Sequence, residues 1–138
     1  AALEVFLAVI GGVVNAQLTE ALLALGARAV GARGIDDSLI SGPRARDLDR
    51  VISEPVADAR VLHDLLSAGY LPVVAPMGLD SAGRICNVNA DDAAAAVSAS
   101  LGGEARTPGP ATISGTPTAG VCQVRLSISS ETWAMPNR

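Results

Sequence analysis

The spacing of apolar residues changes repeatedly along this chain, and each change predicts a different element. Residues 2–10 are apolar apart from Glu4 and predict a short helix, which Gly11-Gly12 should stop. Beyond it, Leu18, Leu22 and Leu25 recur at helical spacing, with Asn15 as a suitable N-cap and Gly26 as a stop. Residues 27–31 then read as a short strand, so helix, glycine and strand make one αβ unit. Between residues 32 and 55 the pattern breaks. Turn residues alternate there with the apolar pairs Leu39-Ile40 and Val51-Ile52, which predicts a hairpin or an irregular excursion. Residues 58–68 return to a helix, with Val61, Leu62, Leu65 and Leu66 on one face and Gly69 at its end.

The most informative stretch is 69–103. Residues 70–75 read as a buried strand, because Leu-Pro-Val-Val-Ala lacks the polar alternation of a half-exposed one. Pro72 confines that strand to an edge, or itself to the strand's first positions. Asp80-Ser81-Ala82-Gly83 is turn chemistry between two short strands. Residues 89–101 predict an alanine-rich helix with Asn89 as cap and Gly102-Gly103 as a firm stop. A strand that delivers Asn87, Asn89, Asp91 and Asp92 to a helix start is how open α/β sheets build sites for small anionic ligands. The plainer reading of Asn87 and Asp91 is a turn residue and a carboxylate favourable to the helix dipole.

After residue 103 the character changes. Residues 107–120 are mostly Thr, Pro, Gly, Ala and Ser, without charge or period, and predict no packed element. Residues 121–128 alternate enough for one edge strand. The expected organisation is an α/β body over 1–103 and an irregular tail over 104–138.

Composition sharpens this picture. At 138 residues the chain suits one domain, and with 49% hydrophobic but only 2% aromatic residues its core must be built from Ala, Val, Leu and Ile. A net charge of −4 offers no basic footprint for nucleic acid, and there are no aromatics to stack on bases. Cys86 and Cys122 are isolated, which suits packing residues in a reduced, cytoplasmic compartment. The apolar run at 3–10 is too short to span a bilayer and lacks a basic flank, so no membrane partner is expected. No His or Cys cluster has metal-ligand spacing, and His63 reads as a helix-flank residue without a catalytic partner. All ten basic residues are Arg. Arg33, Arg44 and Arg46 could meet an anion, though loop arginines are usually solvated. Gly11-Gly12 has neither the lysine nor the preceding strand of a phosphate loop.

The residues Gly69-Tyr-Leu-Pro-Val-Val-Ala-Pro-Met-Gly78, followed by Asn87-Val-Asn-Ala-Asp91 and an alanine-rich helix, resemble the amino acid kinase family, and within it the N-acetylglutamate kinases. Gly12-Val-Val-Asn15 and Ala29-Val-Gly-Ala-Arg-Gly-Ile-Asp36 are similar to the family's Gly-Lys-Val-Asn helix start and its Ala-Val-Gly-Leu-Ser-Gly-x-Asp-Gly loop. Gly42-Pro43-Arg44 is similar instead to the sister kinases that phosphorylate a carrier-bound aminoadipate in lysine biosynthesis.

The resemblance covers about residues 4–103. It implies a three-layer αβα sandwich with a mostly parallel sheet, here incomplete. It implies phosphoryl transfer from ATP, with Mg, to the γ-carboxylate of N-acetyl-L-glutamate in arginine biosynthesis. In such an enzyme Asn87 hydrogen-bonds the acyl amino acid and Asp91 organises the catalytic lysines, while homo-oligomers are common. The departures are equally specific. The lysine of the helix start is Val13, the loop's serine is Arg33, and the loop's final glycine is Asp37. No residue of the nucleotide side is recognisable, and with no lysine the chain alone is expected to be inactive. A degenerate or truncated domain that binds or oligomerises without catalysis is the alternative from a different class.

Overall fold

The computed structural model describes residues 2–102, together with three strands at 105–106, 111–114 and 125–128. Its N-terminal 23 residues form one uninterrupted helical run: α1 (Ala2–Ala8), a π-helical turn (Val9–Val14) and α2 (Asn15–Ala24). The expected break at Gly11-Gly12 does not occur. A glycine ends a helix by adopting a left-handed backbone, and neither of these glycines has a positive φ. Asn15 consequently is no N-cap. Its φ of −61° and ψ of −43° are helical, and so are those of Val14 before it. The helix is also longer than the apolar run suggested, and by length and composition alone it could cross a membrane. One side of α2 nevertheless packs on a sheet, and Val5, Val13, Leu18 and Leu23 remain more than half or about half exposed.

Strand β1 (Ala29–Arg33) pairs in parallel with β5 (Leu71–Ala75), from Ala29 opposite Leu71 to Arg33 opposite Ala75. Helix α3 (Arg60–Ser67) packs on β5 and ends at Gly69, whose φ is 79°. The expectation of a buried β5 is corrected: Ala75 alone is buried, and Leu71 is exposed. Among the described residues β5 has no ladder partner besides β1, so its apolar run is an edge, where Pro72 is tolerated.

The second sheet is mixed. Strands β2 (Ile40–Ser41), β3 (Val51–Ile52), β4 (Val56–Ala57), β6 (Met77–Leu79) and β7 (Ile85–Val88) lie in the order β3-β7-β6-β2-β4. The β3–β7 and β2–β6 pairs are parallel, and β2–β4 and β6–β7 are antiparallel. The excursion at 32–55 is therefore not one hairpin. Its two apolar pairs go to opposite parts of the sheet, and Leu39, Ile40 and Ile52 are almost wholly inaccessible. Together with Ala59, Leu62, Cys86, Val88 and Ala93 they form the core, on which α4 (Ala90–Ser100) packs through β2 and β4. The α/β class expected from the sequence is present, as a parallel pair and a mixed sheet; of their five pairings together, three are parallel.

Past residue 103, β8 (Ala105–Arg106), β9 (Ala111–Ser114) and β10 (Arg125–Ile128) form an antiparallel sheet in the order β10-β9-β8. The expected edge strand is found as β10. Strand β9 occupies a stretch whose composition predicted no element. Cys122 and the rest of residues 107–110, 115–124 and 129–138 lie outside the described residues.

Candidate functional site

Four consecutive elements bring the site residues to one place. Strand β5 leads through Pro76 into β6, the turn at Asp80 returns the chain as β7, and one residue later α4 begins. Met77 stands opposite Asn87 in the β6–β7 pair, and Val51 stands opposite it on the other side. Asn87 donates its backbone N–H to the Arg50 carbonyl at 2.7 Å. Its backbone is therefore fixed from both sides. Its side chain is half-buried and has no hydrogen-bond partner among the described residues. An amide held in this way offers two donors and one acceptor to a polar ligand.

Asn89 caps α4 as expected, its Oδ1 accepting from the backbone N–H groups of Asp91 (2.9 Å) and Asp92 (3.3 Å). Asp91 and Asp92 both lie exposed in the first helical turn. They complement the positive end of the helix dipole. The helix start is thereby already capped and flanked by two carboxylates, so it is no cradle for a phosphate. Among the described residues no group of His, Cys, Asp or Glu could hold a metal ion. The described residues do not fit MgATP.

The loop arginines are mostly engaged. Arg33, at the carboxyl end of β1, pairs with Asp36 (Nη2 to Oδ1, 2.9 Å). Arg44 lies 3.7 Å from both Asp49 and Asp80. Arg33 and Arg44 therefore already have carboxylate partners where a substrate anion would need them free. His63 is exposed on α3, as its helix-flank reading required.

Two functional-looking side chains were missed by the sequence reading. Asp80 was read only as a turn residue, yet its side chain is 2% exposed and is the anchor of the β6–β7 hairpin. It accepts from the backbone N–H groups of Ala82 and Arg84 (2.9 Å each) and from the Arg84 guanidinium at 2.9–3.0 Å. The backbone N–H of Arg84 foremost, opposed by burial and helped by the Arg84 guanidinium, holds its carboxyl below the ordinary aspartate range. The arginine four residues on was the available signal. Burial foremost, then the Asp80 charge, pushes the nearby Cys86 thiol up, which keeps it a packing residue. Asn15 was read as a cap. Its Nδ2 instead donates to the carbonyls of Val73 (2.7 Å) and Ala32 (3.3 Å), on β5 and β1. The helix itself, which also carries Glu4, Gln17, Thr19 and Glu20, holds no signal that sets Asn15 apart from a cap.

Asp37, which stands where the resemblance places a glycine, has a φ of 51°, and Ser38 follows at 54°. The loop thus keeps a glycine-type backbone without the glycine.

Residues 1–105 match the model of the amino acid kinase family. The chain is 45% identical over 100 residues to an acetylglutamate kinase of Rubrobacter xylanophilus, covering 72% of this chain and 39% of that protein. It is 42% identical over 96 residues to an acetylglutamate kinase of Geobacillus kaustophilus, covering 68% and 37%. With that of Methanopyrus kandleri it shares 36% over 107 residues, covering 72% and 44%. The chain thus spans about two fifths of the length of these relatives.

Proposed function

This chain belongs to the amino acid kinase family, and we propose that it carries the acyl-amino-acid half of an N-acetylglutamate kinase site. The observation that carries this reading is Asn87: a backbone-locked, half-buried amide whose side chain has no partner among the described residues, at the end of the strand that leads into a capped helix. In the proposed complex the Asn87 amide donates to and accepts from the N-acetyl amino acid. In a complete site the γ-carboxylate so oriented would attack the γ-phosphorus of ATP, giving an acyl phosphate with ADP as the leaving group.

Such transfer works by positioning and charge stabilisation, with little covalent work for the protein. Asp91 is an exposed carboxylate suited to ordering cationic groups. The chain itself contains no lysine for it to order, and its loop arginines Arg33 and Arg44 are paired with acids. The donor, ATP with Mg in this reading, is held by residues other than those described. The chain by itself is accordingly proposed to bind substrate without turning it over, in the cytoplasm where amino-acid biosynthesis runs.

The Gly42-Pro43-Arg44 similarity to carrier-bound aminoadipate kinases is the weaker pointer, because Arg44 is engaged by Asp80 and Asp49. A calorimetric titration of the chain with N-acetyl-L-glutamate, with Asn87→Ala as control, tests the proposal. Saturable binding weakened about tenfold or more in the variant is the expected result. A folded chain that gives no heat would leave the alternative, a non-catalytic scaffold.

A further inference from the structure

We propose that Asn15 is a positioning residue for the Asn87 site, acting through the parallel β1–β5 pair. The inference rests on reading Asn87 as the substrate amide. Asn15 lies in the middle of a 23-residue helix and is half-buried. Its amide reaches down to Val73 O on β5 and Ala32 O on β1, so both Nδ2 hydrogens have acceptors, one on each strand. The sheet is cut to receive it. A Cβ on Gly31 would collide with Asn15 Oδ1 and stand 3.2 Å from Thr19 Oγ1. Thr19 in turn donates to the Asn15 carbonyl at 2.8 Å, one helical turn on.

The two carbonyls lie just before the strands end. One residue after Ala32 is Arg33, and then Gly34 donates its N–H to Ala75 O at 3.0 Å. A Cβ on Gly34 would run into Met77 O, so the carboxyl ends of β1 and β5 meet without a spacer. Pro76 O accepts from Val88 N–H at 3.3 Å, and Met77 stands opposite Asn87. The strand end that Asn15 fixes is thus the one that holds the β7 residues around the substrate amide. A polar tie of this kind sets how α2 sits on the sheet, where apolar packing alone would allow small slides.

Hydrogen exchange of individual amides in the full chain tests the inference, in wild type, Asn15→Ala, Gly31→Ala and the double variant. The amides of Gly34 and Val88 report the strand ends, and that of Leu101, bonded to Val97 O, reports α4. Asn15→Ala should speed exchange at Gly34 and Val88 about tenfold beyond any change at Leu101. Gly31→Ala should do the same by evicting the amide. The double variant should be no worse than either single one, because the new methyl then fills vacated space. Acceleration that is uniform across all three amides, or additive in the double variant, would overturn the proposal. Should Asn15→Ala fail to fold, Asn15→Ser supplies the same comparison.

Binding separates this inference from the functional reading. If wild type binds N-acetyl-L-glutamate, Asn15→Ala should bind it about tenfold more weakly, and equal affinity would contradict the positioning role. If wild type does not bind, the substrate reading fails, while the exchange pattern still decides whether Asn15 governs the strand ends.

Discussion

The strip from β5 to α4 and the excursion at 32–55, taken with strand β4 just after it, contribute three strands each to this fold, yet they encode them in opposite ways. The strip is written locally. Its turn is closed by Asp80, its helix is capped by Asn89, and Asn87 sits between them on a strand with neighbours on both sides. The excursion is written at long range. Its strands are two residues each; β2 and β3 find partners on β6 and β7, dozens of residues away, and β4 joins the sheet through β2. Such short strands have no period to display, and only tertiary pairing gives them a conformation. The site strip is the local part, and the core that holds it is the distant one. The elements of a candidate site can therefore be legible in a sequence while their support is not.

The comparison is broken most severely through the excursion. Ile40 is fully buried and packs in the core cluster. Ile40→Ala should therefore lower stability by about 2–5 kcal/mol, read from urea denaturation. A loss as small as that of a surface change would show that the excursion is not the support it is taken to be.

Acid sharpens the contrast next. The Asp80 carboxyl titrates below its ordinary value in the folded chain, so the unfolded chain binds its proton first as pH falls. Its contribution is fully present above the ordinary aspartate pKa of about 3.9 and is lost as pH drops through the lower folded value. Denaturation midpoints compared between wild type and Asp80→Asn should converge in that acid range and stay apart at pH 7. A constant gap at every pH would contradict this role.

Two smaller changes probe local signals in each region. Asn89→Ala should cost about 1 kcal/mol, with the loss seen as fraying of α4 by amide exchange. Asp37→Gly should stabilise by about 0.5–1 kcal/mol in the same denaturation experiment, because the residue occupies a left-handed backbone. Destabilisation there would mean that the Asp37 side chain contributes something the backbone argument omits.

The same physics explains which expectations survived. Gly26 and Gly69 end their helices with φ of 85° and 79°, and Asn89 caps because its neighbours' N–H groups are otherwise orphaned. Gly11-Gly12 and Asn15 look alike on paper and behave differently. The glycines keep helical backbones, and the asparagine's amide is taken by two strands. Nothing within the helix encodes that outcome, because it depends on Gly31, sixteen residues on. Likewise Leu71 and its neighbours read as buried when they form an edge, since apolarity does not reveal how many ladders a strand will join. Asn87 is proposed from its motif. The lock on its backbone came from Met77 across the hairpin and from Arg50 and Val51, which are far from it in sequence.

The central claim is that the Asn87 side chain is the ligand-binding amide of this strip. The most direct test follows its side-chain NH2 resonance by NMR, assigned by its disappearance in Asn87→Asp, during titration with N-acetyl-L-glutamate and separately with L-glutamate. A saturable shift with the acetylated compound, and none at equal concentration of the unacetylated one, is the predicted result. A resonance that stays in place with both, in a chain whose other amides show it folded, would contradict the claim.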